Sequence, residues 1–498
     1  MRIAGPTLTL RDPTAAAAEG GAASAKATRA SALSAHSAHL TLSALRPLPP
    51  AVSARPWTLL ADGAAEQAAA ARAAAWDGVR ELLAIRLDSL GDVLMTTPAL
   101  RAIKASRPHT RITLLTSPAG AAAAPLLPLV DEVIVAPVAW MRGARVGGRD
   151  EIGAPERALI DTLLRRRFDA AIVFTVHTQS ALPAALLATL AGIPLRLAHA
   201  RENPYGLLSD WVREPEPHAI QRHEVQRQCA LVEHVGYRAA SVEDERLCLE
   251  VSPEARQAMR QRLRAADIDP ARPYIVIHPG ASAASRRWPP AHFARAADLL
   301  AWDHPIVLAG GAAEAPLLDE IVSVMRRPAL RLEADLDLAR FAALVADARL
   351  VICNNSAPAH IAAAVGTPVV VLYALTNPQH TPWRVPARVL YRDVPCRNCL
   401  KSECPLGHHE CLLGVRPAQV AAAARELVAA TAGLRAGTRS PASPFDARER
   451  AAPPCPSGTE TGGAGVAAAR SAPRAAAASQ GESAAPPVTR RTEDPALP

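Results

Sequence analysis

The sequence lacks several features that would assign it to a class of protein. No apolar run approaches the roughly 20 residues that a membrane span needs, and the N-terminus has no continuous apolar core typical of a secretory signal. The formal net charge is +8, but the chain has no long Lys/Arg block, and only 3% of its residues are aromatic. We therefore expect a cytoplasmic protein that does not bind nucleic acid. Its mildly basic surface suits an anionic substrate or a membrane surface.

Both ends of the chain have compositions that disfavour folding. Residues 1–78 and 435–498 are rich in Ala, Ser, Pro and Arg, and we expect both segments to be disordered tails. The folded part is expected between them and is long enough for two domains.

Strand and helix patterns alternate through this middle part. Short apolar runs, such as 82–87 and 274–278, alternate with helical periods, which is typical of parallel sheets covered on both faces. A break near residues 240–255 separates two such series. The pattern predicts an α/β protein with two Rossmann-like domains, 79–245 and 246–434, facing a cleft. Ligands in such sheets bind at the carboxyl ends of the strands.

The first candidate site is RLDSLGD at residues 86–92, directly after an apolar run. Gly91 allows a sharp turn from strand to helix, and a helix start offers free N–H groups to an anion. Asp92 is then a helix cap, a ligand-binding carboxylate or a catalytic base. Since the stretch is not a G-x-G-x-x-G fingerprint, a nicotinamide cofactor is disfavoured.

The second candidate site is HPGASAASRRWPP at residues 278–290. A strand ends at a small-residue loop containing Gly280 and Ser282, and Arg286 and Arg287 follow. This pattern favours an anion cradle in which a guanidinium binds phosphate in bidentate fashion. The alternative is an ordinary loop with two solvated arginines.

The third candidate site is CNNSAPAHIAAAVGTP at residues 353–368. Asn355 and Ser356 follow a strand, and Pro358 suits the first turn of a helix. His360 lies two residues further on and is expected to face the loop. These residues form either a polar binding cluster at the end of a strand or a structural turn with a buried histidine.

A fourth feature is a cluster of cysteines at residues 396–411. Soft ligands at this density would suit a structural zinc ion or an iron–sulfur cluster, although the spacing is not that of a zinc ribbon. The alternative is a surface loop with reduced or locally bridged thiols. The four cysteines are Cys396, Cys399, Cys404 and Cys411.

In order and spacing, the first three stretches resemble the motifs of glycosyltransferase family 9, the heptosyltransferase family of lipopolysaccharide core synthesis. The resemblance runs from about residue 81 to residue 434. It implies a GT-B fold whose C-terminal helix crosses back to the first domain, and an ADP-heptose donor. It also implies a lipid A-linked core acceptor at the inner face of the cytoplasmic membrane, and inverting transfer without a catalytic cofactor. The protein is expected to be a monomer.

The resemblance also implies roles for individual residues. Asp92 matches the general base, and Arg86, Ser89 and Gly91 match positions beside the donor sugar and its phosphates. In the second domain, Arg286 falls where a cation faces the diphosphate and Glu314 where a carboxylate is near the ribose. The expected phosphate-side contacts are Gly280, Ser282, Ser356 and His360.

The sequence departs from the family pattern at two positions. Asn355 and Ala357 stand where the family usually has Asp and Gly. The Asp position contacts the donor sugar, so Asn355 leaves the identity of that sugar open, and Ala357 has less backbone freedom than Gly. The alternatives are a family member that uses another nucleotide sugar for a different surface glycan, and a non-catalytic protein that binds sugar nucleotides.

Overall fold

The structure is a computed structural model that describes residues 57–141, 152–333, 336–374, 378–396 and 398–433. The parts of the expected tails before residue 57 and after residue 433 lie outside these residues. Two compact units divide the chain, 1–72 and 73–498. Of the first unit, the structure describes only the start of helix α1 (Trp57–Asp77). All the following elements belong to the second unit.

The first sheet has six parallel strands in the order β3-β2-β1-β4-β5-β6. Its strands are β1 (Glu81–Arg86), β2 (Arg111–Thr116), β3 (Glu132–Val135), β4 (Ala170–Val173), β5 (Leu195–Ala200) and β6 (Asp210–Arg213). The helices of this half are α2 (Leu90–Ser106), α3 (Pro118–Ala121), α4 (Ala154–Arg166), α5 (Leu182–Leu190) and α6 (Glu224–Glu233). The central strand β4 is buried along its whole length and β1 is buried after its first residue, as expected for a sheet covered on both faces.

The second sheet has the same topology, in the order β12-β11-β10-β7-β8-β9. Its strands are β7 (Ile275–His278), β8 (Ile306–Ala309), β9 (Leu330–Leu332), β10 (Leu350–Asn354), β11 (Val369–Leu372) and β12 (Ala387–Leu390). The remaining helices are α7 (Pro253–Ala265), α8 (Pro290–Leu300), α9 (Ala315–Val324), α10 (Leu338–Asp347), α11 (Ala357–Val365), α12 (Glu410–Leu413) and α13 (Pro417–Ala430). The expectation of two parallel-sheet, Rossmann-like halves is confirmed.

Each sheet has one point where the strand order reverses, between β1 and β4 in the first and between β7 and β10 in the second. Open parallel sheets bind their ligands in the crevice at such a switch point. The three motif stretches of the sequence follow β1, β7 and β10 directly. The topology therefore places all three at switch points.

The structure differs from the sequence-based expectations in three places. Residues 57–77, expected in the N-terminal tail, form α1, and Trp76 near its end is fully buried and donates to Asp210 Oδ2 at 2.9 Å. The stretch 201–216, a polar, Pro-containing segment in which the sequence pattern indicates no strand, contains the edge strand β6. Helix α13 packs against α8 and the second sheet instead of crossing to the first domain, because its apolar side belongs to the second core.

Within the described residues, no helix is long and apolar enough to cross a membrane.

Candidate active site

Asp92 lies in the first turn of α2, at the carboxyl end of β1. Its Oδ2 atom accepts hydrogen bonds from the Ser89 backbone N–H at 3.1 Å and from the Ser89 hydroxyl at 2.7 Å. The capping interpretation is therefore confirmed as a description of the local structure. These bonds fix the carboxylate, and its side chain is still 19% exposed. A rigid, accessible carboxylate can also act on a ligand.

Arg86 lies beneath this carboxylate and is fully buried. Its guanidinium contacts Asp92 Oδ1 at 3.3 Å, Asp88 Oδ2 at 3.0 Å and Glu224 Oε1 at 3.0 Å. Burial by itself would lower the pKa of Arg86, but the three carboxylates raise it above its ordinary value. Arg86 is thus a permanent cation that fixes the Asp92 carboxylate by an ion pair. The Arg86 side chain itself does not reach the cleft surface.

Glu224, the first residue of α6, was not identified from the sequence. It is fully buried and accepts from Arg86 and, at 2.6 Å, from Gln228 Nε2. Burial by itself would raise the pKa of Glu224, but Arg86, Arg227, His380 and the Gln228 hydrogen bond together lower it. The sequence signal that could have identified Glu224 is a charged residue on the apolar face of a predicted helix.

The two aspartates of the first motif have opposite tendencies to ionise. Burial would raise the pKa of Asp92, but Arg86, His380, the Ser89 hydrogen bond and His360 together lower it. Burial raises the pKa of Asp88, and Arg86 does not compensate fully because Asp92 adds a second negative charge. Asp92 is therefore the carboxyl group of the two that ionises more readily. Asp88 is held by Gln179, whose Nε2 donates to it at 2.6 Å.

His360, in α11, meets the first motif across the cleft. Its Cδ2 atom lies 2.7 Å from the point where a β-carbon on residue 91 would stand, so Gly91 permits this approach. Burial lowers the pKa of His360 to about 4, against the opposing effect of Asp92. The ring is therefore neutral, and its Nδ1 atom is buried without a hydrogen-bond partner among the described residues.

Two further histidines surround this contact and were missed in the sequence. His223 caps α6, accepts from the Val225 N–H through Nδ1 at 3.2 Å, and lies 2.8 Å from the Thr381 carbonyl through Nε2. This pattern fits a neutral ring with its proton on Nε2. His380 lies close enough to Asp92 to help lower its pKa. Neither residue belongs to a sequence motif, because the fold brings them from distant segments.

The second motif forms the loop that follows β7. Ser282 is exposed and Arg286 is half-buried, and the Arg286 side chain has no hydrogen-bond or ion-pair partner among the described residues. Gly280 lies directly against Glu314, since a β-carbon at residue 280 would stand 2.6 Å from Glu314 Cγ. Glu314 and the start of this loop thus lie together at the second switch point, and Arg286 follows six residues after Gly280 in the same loop.

The third motif ties this loop to β10. Asn354 Oδ1 accepts from the Trp288 N–H at 3.0 Å, and the Ser356 hydroxyl donates to the Gly280 carbonyl at 3.2 Å. Asn355 is buried beside them. Ala357 is the first residue of α11, a conformation that any L-residue adopts, so the missing glycine costs nothing here.

The model of the family described as "Glycosyltransferase family 9 (heptosyltransferase)" matches residues 156–410, just over half of the chain. The chain belongs to this family. Lipopolysaccharide heptosyltransferase 2 of Salmonella typhimurium and that of Escherichia coli K12 are each 29% identical to it, over 68% of the chain and 96% of their own length.

Two solved structures of similar proteins share this fold. The E. coli ADP-heptose LPS heptosyltransferase II has a TM-score of 0.56 at 25% identity, covering 71% of this chain and 100% of that one. A family 9 glycosyltransferase from Veillonella parvula has a TM-score of 0.60 at 22% identity, covering 70% and 98%. The GT-B expectation is confirmed, and this chain is a glycosyltransferase. The family match begins at residue 156, so the argument for Asp92 depends on its geometry.

The cysteine cluster of this glycosyltransferase does not form a ready-made metal site. Among the described residues, no group of three or more His, Cys, Asp or Glu side chains is arranged to hold a metal ion. Cys396 Sγ lies 3.7 Å from His408 Nε2. Burial raises the pKa of Cys411, whereas hydrogen bonds from backbone N–H groups lower the pKa of Cys404. The residues therefore do not fit the expected zinc or iron–sulfur group, and no chemistry is assigned to one.

Proposed function

We propose that this glycosyltransferase transfers heptose from ADP-heptose to a lipid A-linked lipopolysaccharide core, with inversion at the anomeric carbon and with Asp92 as the general base. The relatives named lipopolysaccharide heptosyltransferase 2 support the choice of sugar and acceptor. The observation that carries the mechanism is the position of Asp92. It is a charged carboxylate fixed by Arg86 and Ser89 at one switch point, and His360 from the other domain lies against its neighbour Gly91.

The proposed reaction is a single displacement. The acceptor hydroxyl oxygen attacks the anomeric carbon, the bond from that carbon to the diphosphate oxygen breaks, and ADP leaves with the bonding electron pair. The hydroxyl proton passes to Asp92. A weak base is sufficient, because the hydroxyl becomes acidic as its oxygen bonds to the electron-poor carbon. Arg86 contributes by keeping Asp92 ionised and oriented. After each proton transfer it again favours the ionised form of Asp92.

The second domain is proposed to bind the donor. The unpaired Arg286 guanidinium would face the diphosphate and stabilise the charge that develops on it. Beside Glu314 is a cavity of about 160 Å³, lined by His278, Gly310, Gly311, Leu336, Leu338 and Phe341. Its apolar and aromatic walls suit a nucleobase, and Glu314 would then accept from the ribose hydroxyls.

The remaining residues are proposed to complete the site. Four more residues lie around the start of α11 and around the loop between β7 and α8 (residues 279–289, named the phosphate loop): neutral His360, Ser356, Gly280 and Ser282. There they can donate to phosphate oxygens or allow close approach. Asn355 would contact the heptose. A lipid-linked acceptor would bring the enzyme to the inner face of the cytoplasmic membrane, where a monomer without a catalytic metal would suffice.

The test is Asp92→Asn with Asp161→Asn, an exposed aspartate on α4, as the matched control. Transfer from ADP-heptose is followed by mass spectrometry, and ADP binding is measured by calorimetry. We expect Asp92→Asn to lose about 10²- to 10⁴-fold in kcat and to bind ADP as the wild type does, with Asp161→Asn unchanged. Full activity of Asp92→Asn would overturn the base assignment. A wild-type preference for UDP- or GDP-sugars would overturn the donor assignment.

A further inference from the structure

The Cys-rich loop, residues 398–411, has no role in the mechanism above, yet it touches the phosphate loop at one point. Ser285 is 1% exposed and directly precedes Arg286. Its backbone N–H donates to the Ser402 carbonyl at 3.1 Å, and its hydroxyl donates to the Lys401 carbonyl at 2.9 Å. Two consecutive carbonyls of the Cys-rich loop are therefore bound by a single buried serine.

Within the part of the chain that the structure describes, the rest of the phosphate loop is bound to other elements at its two ends. Gly280 is bound by Ser356 at one end, and Trp288 is bound by Asn354 at the other. Between these two residues, within the described part of the chain, Ser285 makes the only hydrogen bonds to another element. The Arg287 side chain donates back to Ala281 within the loop itself, at 2.8 Å.

Arg286 depends on this anchor for its position. Its guanidinium has no partner of its own among the described residues, so the backbone of its short 3₁₀ turn (Ala284–Arg286) decides where the charge lies. Ser285 is the middle residue of that turn. A shift of the Cys-rich loop would therefore move the cation that faces the diphosphate.

The Cys-rich loop is itself braced. Lys401 and Ser402 lie between Cys399 and Cys404 in the sequence. At the end of the loop, the Cys411 carbonyl accepts from the Arg392 N–H at 2.9 Å, and Cys411 is buried against the second core. The loop thus connects the second core to the phosphate loop.

We propose that the Cys-rich loop is a positioning element for the donor diphosphate, and that Ser285 is the positioning residue through which it acts on Arg286. The inference rests on the proposed function for the identity of the ligand. It gives the cysteine-rich segment a role that requires no bound metal: its carbonyls hold the turn that carries Arg286, a cation without a partner among the described residues.

The experiment is a double-mutant cycle on ADP binding, measured by calorimetry with the full chain. Ser285→Ala should weaken ADP binding about 3- to 10-fold, the effect of losing one hydrogen bond. Arg286→Ala should weaken it more, and the double variant should bind as Arg286→Ala does, because Ser285 acts only through Arg286. With ADP-heptose as substrate, Ser285→Ala should raise KM and leave kcat nearly unchanged.

The control is Ser323→Ala, on the exposed side of α9, which should bind ADP as the wild type does. If Ser285→Ala does not fold, Ser285→Cys keeps the size and weakens the donor, and it should show the same loss. Losses that multiply in the double variant, or wild-type affinity of both Ser285 variants, would overturn the proposal. If the wild type binds another nucleoside diphosphate in place of ADP, the donor assignment fails, and the same cycle with that diphosphate still tests Ser285.

Discussion

The imidazole ring of His360 lies on Gly91 so closely that its Cδ2 atom is 2.7 Å from where a β-carbon on residue 91 would stand. Real side chains do not tolerate that distance. The contact joins α11 of the second half to α2 of the first. Since Asp92 follows Gly91 directly, the contact also sets the distance between the neutral histidine and the charged carboxylate.

Replacing Gly91 with alanine should disturb this contact. The added methyl group would force the buried ring to move, which costs about 1–3 kcal/mol of the free energy of unfolding, and it should also reduce transfer activity. Urea unfolding and transfer assays measure the two effects. Gly78→Ala is the matched control, because nothing lies within 4 Å of the added carbon there.

A second replacement tests whether the stability loss of Gly91→Ala comes from the steric contact with His360 or from another cause. In Gly91→Ala/His360→Ala, the ring that the methyl group meets is gone, so Gly91→Ala should cost much less stability than it does with His360 present. An equal cost in both backgrounds would mean that the two residues do not press on each other.

Glu224 should be essential to the stability of the buried cation. Glu224→Ala leaves Arg86 buried with only Asp88 and Asp92 as partners, and removing one member of a buried ion pair costs about 3–5 kcal/mol. We expect this loss in urea unfolding. Glu320→Ala, an exposed glutamate on α9, should change stability by less than about 0.5 kcal/mol. Near-wild-type stability of Glu224→Ala would contradict this prediction, because it would show that Asp88 and Asp92 alone are sufficient to stabilise the buried Arg86 cation.

The sequence indicated the sheets and the loop motifs because these are local patterns. Continuous apolar runs predicted the central strands, and the RLDSLGD stretch predicted the start of α2 and included capping among the three roles open to Asp92. The short edge strand β6 was missed, because a four-residue strand in a Pro-containing polar segment has no clear period.

What the sequence could not provide were the partners that meet only in three dimensions. Glu224 lies 138 positions from Arg86, and no local pattern relates the two residues. Arg86 was expected beside the donor phosphates, yet it is buried beneath Asp92, because three carboxylates surround it. The Ser285 anchor likewise depends on carbonyls more than a hundred residues away.

The depressed pKa of His360 predicts how stability changes with pH. Burial lowers this pKa to about 4 in the folded protein, against 6.5 for an ordinary histidine. Above pH 6.5 the residue is neutral in both states. Between pH 6.5 and 4 the unfolded chain binds a proton that the folded chain does not, so stability falls as the pH falls, by up to about 1.4 kcal/mol per pH unit for this one group.

His360→Asn should therefore flatten the pH dependence of the unfolding free energy between pH 6.5 and 4. Part of the slope should remain, because burial also lowers the pKa of His199 and of His223 to about 4. The measurement is a series of urea unfolding curves at half-unit pH intervals, with His109→Asn, an exposed histidine, as control. A variant that keeps the full wild-type slope would mean that His360 already accepts its proton in the folded state, and the neutral ring assigned to the site would then be wrong.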